Sequence, residues 1–61
     1  MKEIQLSQLS KFSLNIAGNL SVITERQVYV KKNSNVEIRY YQDEVEITKE
    51  LYLKYKQEFE N

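Results

Sequence analysis

Residues 27–47 of this chain alternate apolar and polar side chains with a period of two. Only an extended strand sets every second side chain on the same side, so the segment predicts β-structure with one buried face. Val28, Val30, Val36, Ile38, Tyr40, Val45 and Ile47 would share that face, and Tyr29, Lys31, Glu37, Arg39, Tyr41, Glu44 and Glu46 the other. Asn33-Ser34-Asn35 predicts a turn, because asparagine tolerates left-handed backbone angles. Folding across it sets Val30 opposite Ile38, Val28 opposite Tyr40, Lys31 opposite Glu37 and Tyr29 beside Arg39. Apolar, oppositely charged and cation–aromatic neighbours then meet in one register. A second connection at Gln42-Asp43 places Tyr40 opposite Val45, Ile38 opposite Ile47 and Arg39 opposite Glu46.

The end of the chain changes period. Leu51, Tyr52, Tyr55 and Phe59 fall on one stripe of a helix predicted over residues 49–60. Thr48 is its expected N-cap, with Ile47 and Tyr52 placed as a hydrophobic staple. Glu50 precedes Lys54 by four residues, the favourable order for a surface pair. Leu53 points away from the stripe, as an exposed leucine or a contact to a partner. The first 24 residues read two ways. Leu6, Leu9, Phe12, Ile16, Ala17 and Leu20 make a helical stripe, whereas Phe12, Leu14 and Ile16 alternate as a strand. The preferred reading has strands over 12–23, turning at Ala17-Gly18-Asn19 with Ile16 opposite Leu20 and Leu14 opposite Val22, and a loop or short helical turn over 4–10. The expected fold is α+β: a small antiparallel β-meander of three to five strands with one C-terminal α-helix packed on one face. Residues 1–61 form a single domain in this reading.

With 61 residues, such a domain has little core and usually needs a staple. The chain has no cysteine and no histidine, which removes disulfides and zinc sites of the usual kind. Self-association or docking onto another protein is the remaining means of gaining buried surface. No apolar run suits a membrane span and the start lacks the apolar core of a signal peptide, so a cytoplasmic location and no membrane partner are expected. Abundant Asn, Gln, Lys, Ile and Tyr with scarce Ala, Pro and Gly suit an AT-rich source such as a phage or other mobile element.

The composition argues against enzyme chemistry. No serine has a histidine to activate it, and Ser10-Lys11-Phe12-Ser13 reads as solvated polar surface. Asp43, Glu44 and Glu46 form the densest carboxylate group, at a turn and on a solvent face, where they would keep a sheet edge soluble. A lone Gly18 supplies no phosphate loop. No catalytic residue, cofactor or metal is expected. Nine basic residues balance nine acidic ones. Residues 1–34 hold five basic and two acidic residues, net +3, and residues 35–61 hold four basic and seven acidic, net −3. A phosphate track normally shows a basic surplus.

The leading expectation is therefore a non-enzymatic protein-binding module, an inhibitor or modulator acting by surface occlusion. Tyr29, Arg39 and Tyr41 are its candidate contacts, since tyrosine and arginine are enriched at binding hot spots. Asp43, Glu44 and Glu46 lie near them and would complement a basic surface. The partner is another protein, and a homodimer or other homo-oligomer is allowed. The alternative is a small winged-helix-like DNA-binding regulator. Residues 5–24 would supply two short helices, Lys31 and Lys32 a wing tip, and Arg26 a further nucleic-acid contact.

Overall fold

A computed structural model describes residues 3–61. Four strands, β1 (Glu3–Ile16), β2 (Asn19–Val30), β3 (Asn35–Gln42) and β4 (Val45–Ile47), are followed by one helix, α1 (Lys49–Glu60). They form one antiparallel sheet in the order β1-β2-β3-β4, so each strand pairs with its neighbour in sequence. This is the expected α+β meander with a single C-terminal helix.

The strands begin earlier than periodicity indicates. Residues 4–10, expected as a loop or helical turn, belong to β1. The cause is a pair of β-bulges. The register against β2 slips once between Gln5 and Ser7 and again between Gln8 and Ser10. Each slip inserts a residue, Leu6 and then Leu9, with no partner of its own in the ladder. A bulge adds one residue to a period of two. Two bulges thus turn strand spacing into the threefold spacing of Leu6, Leu9 and Phe12, which imitates a helix. The two helices of the winged-helix alternative are accordingly strands.

Both hairpin registers upstream of β4 also differ from expectation. Ala17 and Gly18 alone make the first turn, with φ of 53° and 85°. Positive φ at both central positions is the turn type whose twist suits a two-residue hairpin. Ile16 therefore faces Asn19, and Leu14 faces Ser21. The second turn spans residues 31–34, closed by Asn33 N–H donating to the Val30 carbonyl at 3.2 Å and Ser34 N–H donating to that of Lys31 at 3.3 Å. Val30 then faces Asn35, Val28 faces Glu37 and Arg26 faces Arg39. This shifts the expected register by three residues. An odd shift exchanges faces, so Val28 and Val30 lie on the opposite side of the sheet from Val36, Ile38 and Tyr40.

The last hairpin moves by two residues, which preserves the faces. Asp43 and Glu44 form its turn, both with left-handed φ, 50° and 71°. Asp43 is braced against β2: its N–H donates to the Val22 carbonyl and its Oδ1 accepts from Val22 N–H, each at 2.9 Å. Tyr40 faces Ile47 and Tyr41 faces Glu46.

The helix starts as its residues dictate. Thr48 is the N-cap, its hydroxyl accepting from Leu51 N–H at 3.2 Å. Tyr52 is the one helix side chain fully buried. Its ring lies 4.5 Å from that of Tyr40 and 6.0 Å from that of Phe12, and its hydroxyl bonds that of Ser10 at 2.8 Å. Phe59 stacks on Phe12 at 4.8 Å. Ile23, wholly buried, shares this side of the sheet with Phe12. Among the described residues no helix is long and apolar enough to cross a membrane.

Candidate functional site

Paired residues of an antiparallel sheet project to the same side, so the register assigns each side chain a face. The helix side carries successive rows across β1, β2 and β3. Phe12 and Ile23 form one, and Ser10, Glu25 and Tyr40 the next. Then come Ser7, Gln27 and Ile38, and finally Ile4, Tyr29 and Val36. The helix packs on the first two. A 12-residue helix is about 18 Å long, whereas the molecule extends 38 Å. The last row is left uncovered: Ile4 is 43% exposed and Val36 52%, with Tyr29 half-buried between them. Ile38, in the adjoining row, is also exposed.

The far side is built from charge. Arg39 reaches Glu37 at 2.5 Å, Glu46 at 3.5 Å and Glu3 at 3.6 Å. Glu3 stands opposite Val30 and Arg39 opposite Arg26, so their ion pair spans β2 at the level of Val28. This accounts for Val28 and Val30 being buried on a face that no helix covers. Long charged side chains lay their aliphatic stems over apolar surface while the heads stay solvated. The hydrogen bond from Arg39 holds the Glu37 carboxyl below its ordinary value, with help from Asn33, and the same bond raises Arg39. Arg26 lies 4.4 Å over the Tyr41 ring and pairs with Glu44. Burial lifts the Tyr41 phenol above its ordinary range. The buried Thr24 hydroxyl and Arg26 Nε have no hydrogen-bond partner among the described residues.

The structure thus divides the contact residues expected from sequence. Arg39, Tyr41 and Glu46 share the far side, where their charges are largely matched within the chain. Tyr29 is on the helix side, in the uncovered row, because of the three-residue register shift. Asp43 and Glu44 form the last turn, where Asp43 braces β2 and Glu44 meets Arg26. The nucleic-acid set is scattered as well. Lys31 and Lys32 sit at the β2–β3 tip, while Arg26 lies five residues earlier, roughly 16 Å along the strand. Sequence reasoning missed Ile4 and Val36 as exposed neighbours of Tyr29. Only the register brings them together, and two bulges and a longer turn hide it.

Where β4 ends, the sheet has a notch. A groove of about 420 Å³ is lined by Ile38 and Tyr40 of β3, Ile47 of β4 and the helix start, with Arg39 and Glu46 on its far rim. Among the described residues no cluster of carboxylates could hold a metal ion. No protein-family model, curated protein or solved structure matches this chain.

Proposed function

We propose that this protein is a non-enzymatic binding module for another protein, acting by occluding a surface of that partner. The observation that carries the reading is the row Ile4–Tyr29–Val36. Three apolar or aromatic side chains stand abreast on three adjacent strands, beyond the reach of the helix, with exposed Ile38 alongside. Single exposed apolar residues are ordinary, but a contiguous group on a rigid sheet is the form of an interaction patch. Tyr29 is its anchor, offering a large rigid ring with little entropy to lose on binding. The far side is less suited to the task, because Arg39 and Arg26 are already matched by carboxylates of their own chain. A phage or other mobile-element inhibitor is a role that this size and surface would suit.

Photo-crosslinking tests the reading. A benzophenone side chain replaces Tyr29 in one variant and Tyr41 in another, and each protein is exposed to extract of its native cell with and without nuclease. The expected result is one discrete protein adduct from position 29, unaffected by nuclease and absent from position 41. Adducts at position 41 alone, or adducts that nuclease removes, would overturn it.

A further inference from the structure

The notch beside β4 is a vacant strand position, and we infer that a second copy of this chain fills it, pairing β3 with β3 about a two-fold axis. Successive residues of an antiparallel strand direct their backbone groups to alternate neighbours. Asp43 N–H bonds the Val22 carbonyl of β2, in phase with the Tyr41–Thr24 pair. Odd-numbered residues of β3 therefore face β2, and even-numbered residues face the other edge. On that edge β4 pairs only with Tyr40–Gln42. Val36 and Ile38 are left with their N–H and C=O groups pointing outward, and no described strand meets them. The groove lies at this place and is lined from both sides of the sheet, as the gap for an extended chain must be.

The open stretch is complementary to itself. An antiparallel two-fold centred on Glu37 sets Val36 of each copy opposite Ile38 of the other. Each such pair exchanges two hydrogen bonds, so four bonds use every open group on both edges. On the helix side, the exposed Val36 and Ile38 side chains of the two copies then cover one another. On the far side, each Glu37 meets its counterpart at the axis with an Arg39 of the other copy as its diagonal neighbour. Each Glu37 is already held by its own Arg39 at 2.5 Å, and the second Arg39 adds a cation beside it, although each Arg39 also reaches Glu46 and Glu3. The chain's net charge is zero, so no overall repulsion opposes the pairing. Three strands from each copy would join into one continuous sheet. The inference goes beyond the binding role proposed above, since it rests on the backbone groups of the strand edge, takes only Val36 and Ile38 from the open face and needs no other protein.

The experiment measures the mass of the pure full-length chain across concentration by sedimentation, alongside two variants. The first, made by total synthesis, carries an N-methyl group on the Ile38 backbone nitrogen. It removes an outward donor and leaves the β2–β3 ladder and all side chains intact. The second is Val36→Lys, which puts a cation where an apolar contact is expected. The unmodified chain should reach about twice the 7.3 kDa of one chain as concentration rises. Both variants should stay monomeric with an unchanged circular dichroism spectrum. If the N-methylated chain does not fold, Val36→Lys alone decides. A monomeric unmodified chain, or a dimer that survives in folded variants, would overturn the inference, whatever the photo-crosslinking shows.

Discussion

Arg39 does more for this fold than its place on a polar face implies. Its three carboxylate neighbours come from β1, β3 and β4, so one guanidinium ties three strands across the charged side. Glu37 is the closest of them, and its carboxyl is held below its ordinary 4.5. A carboxylate whose pKa falls on folding contributes stability that is present above its unfolded value. That contribution disappears as the pH drops through the lowered folded value. Glu37→Gln should therefore melt at a lower temperature than the parent chain at pH 7, with a modest gap because the pair is partly solvated. The gap should close as the solution is acidified below pH 4.5. Equal melting temperatures at pH 7 would show that the group is ornamental. The pairing of Arg39 with Glu46 is legible from alternation alone, because the β3–β4 turn moves by an even number of residues. The bond to Glu3 is not, since β1 reads as loop or helix at that point.

At the level of elements, turns decide the structure more than strands do. The alternation of residues 27–47 shows that they are extended, and the cap and stripe of residues 48–60 show the helix. Neither fixes the number of residues spent in a connection. β2 lies in the middle of the sheet and is buried on both sides, with Ile23 facing the helix and Thr24, Val28 and Val30 facing the charged side. Buried residues on both sides, with polar ones among them on each, leave no single alternation to mark which side faces the helix. Turn chemistry is equally quiet at Asp43-Glu44, where neither residue is glycine. The bonds between Asp43 and Val22 account for the turn forming there. Asp43→Ala should lose the side-chain bond and place alanine at a left-handed angle, for a cost of about 1–2 kcal/mol. Asp43→Asn keeps an acceptor and a residue suited to that angle, and should retain most of the stability. Urea unfolding of the three proteins measures this, and equal midpoints would contradict the brace.

The whole molecule is a sheet longer than its lid. Ile23, Val28, Val30 and Tyr52 are the fully buried apolar residues among those described, a thin core for 61 residues. The helix closes one end of the sheet and leaves the other with Ile4, Tyr29 and Val36 in the open. Both the proposed contact patch and the proposed paired edge follow from the same β2–β3 register, and neither survives without it. Nuclear Overhauser contacts between α-protons test that register directly, because residues facing each other in the wide rings of an antiparallel pair bring their α-carbons to about 4.5 Å. Strong contacts are predicted from Tyr29 to Val36 and from Gln27 to Ile38. Strong contacts from Val30 to Ile38 or from Val28 to Tyr40 would instead return the valines to the helix side and contradict the account.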